Sequence, residues 1–186
     1  MVTARHKRRA AVLSGAVALA LALAGCGGGG GGAKAPAAAT AAPSPSKKAD
    51  PDAAEKVAVL EAYQGMWEAR NRTYATAKLD PQLETYAGNR ALSNIKVTLL
   101  YHQEHGTVMT GTPVNAPEVD GFDDAKTKAV LRDCVDTTTY NEVEAKTGKA
   151  VPVGTGPRRH VYNASAIKTG GKWVIWTTDI DRAATC

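Results

Sequence analysis

The chain lacks the sequence motifs that are typical of several enzyme classes. It contains no Cys-x-x-Cys pair, no clustered cysteines and histidines, and no Ser or Cys nucleophile motif. It also lacks a glycine-rich phosphate loop, because the run from Gly27 to Gly32 follows a cysteine and opens no helix. These absences argue against metal, thiol and nucleotide chemistry, and we predict neither a cofactor nor a metal.

The first 25 residues are a short apolar segment with a basic start. The apolar run from Ala10 to Ala24 has about 15 residues, fewer than the roughly 20 that a membrane-spanning helix needs. A basic start and a short apolar run are typical of a secretory signal peptide. The motif Leu23-Ala24-Gly25-Cys26 resembles the bacterial lipobox, in which the cysteine is acylated and becomes the first residue. This resemblance implies a leader over residues 1–25, lipidation of Cys26 and a lipid anchor on the outer face of the cell membrane.

The basic balance of the whole chain comes from its first part. The sequence has 23 basic and 18 acidic side chains, a formal charge of +5. The leader holds four basic residues and no acid, and Lys34, Lys47 and Lys48 follow it. From Asp50 onward, the chain therefore has 16 basic and 18 acidic side chains. Such a domain lacks the clustered positive field that phosphate backbones require, so nucleic acid is excluded as a partner.

After the leader, residues 26–51 comprise Cys26 and a segment without a large apolar side chain. Such a segment cannot bury enough surface to offset its ordering entropy, so we expect a flexible linker. Residues 52–186 are predicted to form one domain.

The domain begins with helical patterns and continues with strand patterns. Apolar residues recur at three- and four-residue steps after Asp50-Pro51-Asp52, which predicts a long first helix. A short helix is expected from Asp80 to about Ala87, and a third from Asn89 to His105 with Gly106 as its stop. The predicted strands are Thr107–Thr112, Glu118–Asp123, Thr127–Asp136, Thr138–Val143, His160–Lys168 and Trp173–Ile180. This order predicts an α+β fold with helices packed on one face of a curved, mainly antiparallel sheet.

The last two strands are predicted to form a hairpin around Gly170-Gly171, a dipeptide that suits a two-residue turn with positive φ. Carried outward from this turn, the register places His160 opposite Asp181 and Tyr162 opposite Asp179. Neither face of the hairpin is purely polar, so the pattern leaves open which face meets the helices.

Two cysteines remain once Cys26 is assigned to a lipid. Outside the cytoplasm, a disulfide between Cys134 and Cys186 is the expected state. The bond would close a loop of about 50 residues, which contributes about 4 kcal/mol in the chain-entropy description. The alternative, a reactive thiol or metal ligand, has no clustering of ligands behind it.

A family resemblance follows from the order of the helices and strands and from three motifs. The motifs are Asp133-Cys134-Val135-Asp136, Gly170-Gly171-Lys172-Trp173 and Thr185-Cys186. From Ala53 to Cys186 the chain resembles lipoproteins of high-GC Gram-positive bacteria whose mature part is similar to the nuclear transport factor two-like (SnoaL-like) cone. The resemblance implies a sheet wrapped around the first helix, with a pocket at its open end. Such cones host isomerases, cyclases, dehydratases and non-catalytic proteins, so the fold alone does not give the function.

Within such a cone, a carboxylate or a His–Asp pair would be the acid or base. The candidate catalytic residues are therefore His160, Asp179 and Asp181, with the phenol of Tyr162 beside them. The alternative is that these residues are polar cross-strand pairs near the fraying end of the hairpin, each worth a few tenths of a kcal/mol.

Aromatic residues supply the candidate pocket. Tyr63 and Trp67 lie one turn apart on the first helix and, with Tyr162 and Trp176, would wall a cavity for an apolar ligand. Core packing is the alternative role. His102 and His105 are three residues apart, which does not fit the His-Glu-x-x-His zinc pattern, so we expect them to complement the helix dipole.

The expected function is that of a lipid-anchored, non-catalytic accessory domain. Its partner would be an envelope protein or a small apolar ligand. The alternative is an isomerase- or cyclase-like enzyme that uses an Asp with His160 or Tyr162. Homodimerisation through the exposed sheet face is a third possibility that the sequence leaves open.

Overall fold

The computed structural model describes residues 50–186, so the predicted leader, the lipidated Cys26 and the linker before Asp50 lie outside the described residues. The helices are α1 (Ala53–Thr76), α2 (Leu83–Tyr86) and α3 (Asn89–His105). The strands are β1 (Thr107–Thr110), β2 (Pro117–Phe122), β3 (Lys128–Asp136), β4 (Asn141–Glu144), β5 (Arg159–Thr169) and β6 (Lys172–Asp181). Within this range no helix combines the length and the apolar character that crossing a membrane requires.

The helix boundaries follow from local chemistry. Before α1, the Asp50 carboxylate accepts a hydrogen bond from the backbone N–H of Asp52 at 2.9 Å, which turns the chain into the helix. The α3 helix ends where predicted, at Gly106, which has a φ of 63°. Its backbone N–H donates to the His102 carbonyl, so one of the last carbonyls of the helix is satisfied.

Strands β2, β3, β5 and β6 form a four-stranded antiparallel sheet in the order β2-β3-β5-β6, and β1 pairs with β4 in a separate two-stranded sheet. Along β3, every second residue is buried: Ala129, Leu131, Asp133 and Val135. Helix α1 contacts β6, β1 and β2, and α3 contacts β6 and β1. The predicted α+β architecture, with helices against one face of an antiparallel sheet, is confirmed.

The β5–β6 hairpin turns as the sequence predicts. Gly170 and Gly171 have φ values of 56° and 78°, which a side chain would disfavour. The predicted register holds from this turn as far as the pair formed by Ala166 and Ile175. Both residues of that pair are fully buried, so this face of the hairpin meets the helices.

Beyond that pair, Trp176 is an extra residue in β6 and shifts the register by one. Tyr162 then pairs with Ile180, and Asn163 pairs with Asp179. Because side chains alternate between faces, a shift of one residue exchanges the two faces of β6. Ile180 therefore lies on the helix side with Tyr162, and Asp179 lies on the opposite side.

The predicted pairing of His160 with Asp181 and of Tyr162 with Asp179 is therefore wrong. Asp181 pairs with Val161 instead. The prediction extended a regular ladder from the turn, and a bulge breaks that ladder before these residues are reached.

A disulfide joins Cys134 in β3 to Cys186 at the C-terminus, with a Cα–Cα distance of 5.8 Å. The two cysteines are 52 residues apart in sequence. The bond therefore holds the segment after β6 against a central strand of the sheet.

Replacing both cysteines by serine should lower the free energy of unfolding by about 2–4 kcal/mol, because the unfolded chain regains the entropy of an open loop. Urea unfolding followed by circular dichroism measures this change. Wild-type protein treated with a reductant is the matched control and should unfold at the same urea concentration as the double variant. Equal stability of the oxidised wild type and the variant would contradict the stabilising role of the bond.

Candidate functional site

Two adjoining cavities open beside α1, and they share the side chains of Arg70 and Arg182. The first cavity has a volume of about 360 Å³. Its apolar and aromatic wall is formed by Met66, Trp67, Tyr74, Ile95, Tyr162 and Ile180. The second cavity, of about 490 Å³, is more open and lies between Tyr140, His160 and the loop from residue 153 to residue 158. The arginine pair therefore stands where the two cavities meet.

The Arg70 guanidinium is enclosed by aromatic rings. Its central carbon lies 4.3 Å from the ring centroid of Trp67, 4.7 Å from that of Tyr74 and 5.9 Å from that of Tyr140. Stacking of this kind holds a cation by its attraction to the π faces. Burial lowers the pKa of Arg70, but the surrounding tyrosines outweigh this effect and the pKa is raised. The group is a permanent, half-buried cation.

Arg70 has few hydrogen-bond acceptors among the described residues. It donates a long hydrogen bond, 3.4 Å from a guanidinium nitrogen to Asn71 Oδ1, and the Tyr74 side chain is a second hydrogen-bond partner. No carboxylate of the described range lies within 4.0 Å of it. Since a guanidinium carries five N–H donors, Arg70 retains donors for a further acceptor.

Two more polar atoms beside the second cavity lack a partner within the described part of the chain. They are the hydroxyl of Tyr140 and the ring nitrogen Nδ1 of His160, both buried. Burial raises the pKa of Tyr140 to about 12, so its hydroxyl stays protonated near neutral pH and can donate. By contrast, Arg158 is occupied, because it donates to the backbone carbonyls of Thr137 and Tyr140.

The three predicted catalytic side chains do not converge. Asp179 reaches the rim of the first cavity, but its side chain is 70% exposed and lies 4.0 Å from Arg90. The Asp181 carboxylate accepts hydrogen bonds from the backbone N–H groups of Ala183 and Ala184. His160 faces the second cavity. The structure therefore does not bring these side chains together, because the bulge at Trp176 changes the register of β6.

Of the four predicted pocket residues, Trp67 and Tyr162 line the first cavity, with ring centroids 5.4 Å apart in an edge-to-face contact. Tyr63 is fully buried and lines neither of the two cavities. Trp176 also lines neither of them, and its ring covers Gly88: a Cβ atom added to Gly88 would lie 2.7 Å from a ring carbon.

Tyr63 instead belongs to a buried network around Asp133, which is 2% exposed. The Asp133 carboxylate accepts from the Tyr63 hydroxyl at 2.9 Å, from Asn115 Nδ2 at 2.6 Å and from the Ala116 backbone N–H at 2.7 Å. Burial raises the pKa of Tyr63, which keeps the donor proton in place. Both carboxylate oxygens are occupied, so the network joins α1 to β3 and to the segment before β2.

Sequence reasoning overlooked both Arg70 and Asp133 as key residues. Each is a charged residue within an apolar pattern, Arg70 at a helical step and Asp133 at an inward position of a strand. A charged side chain in such a position is rarely buried without a partner or a role, which is the signal that could have identified them.

His102 is buried rather than placed to complement the helix dipole. It is 3% exposed, and its Nδ1 lies 3.0 Å from Thr107 Oγ1 and 3.4 Å from Glu142 Oε1. Burial lowers the pKa of His102, and the nearby Glu142 only partly opposes this effect. His105 does lie at the helix end, with Nδ1 2.8 Å from the Tyr101 carbonyl. In the described range, no group of three acidic, His or Cys side chains is arranged to bind a metal.

No protein-family model matches the chain, and no curated protein matches its sequence. Among solved structures, the chain is similar to the intermembrane space region of the chloroplast protein ARC6, with a TM-score of 0.45 and 11% identity over 72% of this chain and 98% of that one. It is also similar to a protein of unknown function with a cystatin-like fold from Nostoc punctiforme, with a TM-score of 0.40 and 8% identity over 69% and 90% of the two chains. Likeness at this level carries no argument about function, which depends on the geometry of the site.

The Asp133 network predicts coupled losses of stability. Asp133→Ala should lower the free energy of unfolding by at least about 2 kcal/mol, because it leaves buried donors without an acceptor. Tyr63→Phe should lower it by about 1–2 kcal/mol. The double variant should lose about 1 kcal/mol less than the two single losses together, since the side chains share one bond. Urea unfolding of all four proteins measures this coupling. Tyr86→Phe is the control, and strict additivity would contradict the network.

The His102 environment predicts a pH dependence of stability. Because the folded state holds the pKa of His102 below its unfolded value of about 6.5, the unfolded chain binds the additional proton as the pH falls. The free energy of unfolding should therefore decrease from about pH 7 towards the folded-state pKa. The groups that face His102 are Glu142, Arg70, His105, Tyr74 and Tyr101.

His102→Gln should flatten this part of the profile, measured by urea unfolding at a series of pH values. Ser93→Ala, at an exposed and non-titrating position on the same helix, is the matched control and should leave the slope unchanged. The carboxylates with lowered pKa values titrate at lower pH and lie outside this window. An identical slope in the His102→Gln variant would contradict the account.

Proposed function

We propose that this protein is a lipid-anchored accessory protein of the cell envelope whose domain binds a small, largely apolar ligand without catalysing a reaction. The observation that carries the proposal is the first cavity, about 360 Å³ in volume, walled by Trp67, Tyr162 and aliphatic side chains. A concave cavity that combines apolar and aromatic walls with polar groups is typical of small-molecule sites.

The proposal includes the finer description of the fold. A long first helix packed against an antiparallel sheet, with a cavity beside it, is compatible with a nuclear transport factor two-like cone in a lipoprotein of the high-GC Gram-positive type. In that family the pocket lies at the open end of the cone, which agrees with a cavity between α1, α3 and the end of β6.

The absence of catalysis is inferred from the positions of the carboxylates. A general base must lie within about 2.6–3.2 Å of the proton that it removes. Among the described residues, Asp133 is the one fully buried acid, and its oxygens are already occupied. Asp179 at the cavity rim is exposed to solvent and faces Arg90. Asp133 therefore has no oxygen free for a ligand, and Asp179 is not enclosed with one.

The anchor is proposed from the sequence of the leader. Acylation of Cys26 would add two or more acyl chains, and each buried methylene contributes about 0.8 kcal/mol to membrane binding, so the attachment would be stable. Residues 27–51 would then separate the domain from the membrane by a typical distance of about 25–30 Å.

The anchor is tested by metabolic labelling in a bacterial host. Wild-type protein should incorporate a labelled fatty acid and appear in the membrane fraction, whereas Cys26→Ser should do neither. The variant with Cys134→Ser and Cys186→Ser keeps the lipobox and is the matched control, so it should be labelled like the wild type. Labelling of the Cys26→Ser variant equal to that of the wild type would contradict the anchor proposal.

A further inference from the structure

We infer that the ligand of this cavity is an organic carboxylate, with its apolar body in the first cavity and its carboxylate on Arg70 and Arg182. The inference rests on the proposed binding function and adds the charge of the ligand and the residues that read it. The two arginines are the side chains shared by both cavities, so a head group placed between them would adjoin the apolar wall.

The distribution of charge favours an anion at this point. The residues that line the second cavity include Arg70, Arg158 and Arg182 and no acid. The first cavity has one acid, Asp179, at its rim near Arg90. A cavity lined by one sign of charge with low-dielectric walls concentrates its field on a bound group. The field where the cavities meet is therefore positive.

The unpaired polar atoms favour the same ligand. Arg70 has unused N–H donors, the Tyr140 hydroxyl is buried and protonated, and His160 Nδ1 is buried without a partner in the described structure. A carboxylate is an acceptor with about four lone-pair sites and can take a bidentate bond from a guanidinium. One such group could satisfy several of these atoms, which an alcohol or an amine could do only in part.

The aromatic rings around Arg70 argue against a cationic ligand. Rings such as those of Trp67, Tyr74 and Tyr140 would attract a quaternary ammonium ligand if the space between them were empty. Here the Arg70 guanidinium already occupies that space. A cationic ligand would meet this charge at close range, whereas a carboxylate would be paired by a cation that stacking already holds in place.

The test is a titration of the chain without its leader and Cys26, residues 27–186, exported to an oxidising compartment and checked for folding by circular dichroism. The probes are butanoate, hexanoate and octanoate, each with the corresponding primary alcohol, followed by calorimetry at near-neutral pH. The affinity of the acids should rise by up to about fourfold for each added methylene, because each one buries apolar surface. Each acid should bind at least about tenfold more tightly than its alcohol, the size of one charge-assisted hydrogen bond.

The carboxylate preference and the proposed binding function are contradicted by different results. If acids and alcohols bind equally and both improve with chain length, the apolar site stands and the inferred carboxylate preference is overturned. If no probe binds saturably at millimolar concentration, both the preference and the proposed binding function are overturned.

Variants of the two arginines test whether they cause the preference for a carboxylate. Arg70→Met keeps an apolar side chain on α1 and should abolish the difference between octanoate and 1-octanol while 1-octanol still binds. Arg182 is exposed, so Arg182→Gln should leave the fold intact. The variant should reduce octanoate affinity severalfold. Arg132→Gln, an exposed arginine on β3 outside both cavities, is the matched control. Unchanged octanoate affinity in both cavity variants would overturn the assignment.

Discussion

The buried carboxylate of Asp133 is the interaction on which the rest of the structure depends. A carboxylate taken out of water is costly unless donors replace its hydration, and here three donors do so. One donor comes from α1 and two come from the segment before β2, so a single group fixes a helix, a strand and a loop relative to one another. The position of α1 places Trp67 one turn beyond Tyr63 and Arg70 roughly two turns beyond it, where both line the cavity. On the other face of β3, the neighbouring Cys134 holds the segment after β6 and so limits where Arg182 can lie.

The bulge at Trp176 decides what kind of site this is. A regular hairpin would bring an aspartate into register with Tyr162 on the helix side of the sheet. One additional residue places Ile180 there and pairs Asp179 with Asn163, so that the Asp179 side chain lies exposed at the cavity rim, beside Arg90. The same change adds an apolar side chain to the wall of the first cavity and removes a candidate base from its interior. What remains is a cavity with the Arg70 and Arg182 cations at its edge, which suits the proposed binding function.

The sequence was sufficient for features that depend on near neighbours. The bounds of α3, the Gly170-Gly171 turn and the alternation along β3 could be predicted because capping, positive φ and side-chain period are local properties. The bulge could not be predicted, because Trp176 is followed and preceded by ordinary strand residues. The surroundings of Arg70 also could not, since Tyr140 and Tyr162 reach it from distant parts of the chain. The site is formed by long-range packing, and sequence patterns report that least well.

The most direct measurement of the central claim is a crystal structure of residues 27–186 soaked with octanoate. The account predicts a carboxylate within hydrogen-bond distance of the Arg70 guanidinium and an acyl chain in contact with Trp67 and Ile180. A structure in which Arg70 pairs with a carboxylate of the protein itself, or in which octanoate binds elsewhere and the cavity holds only water, would contradict it.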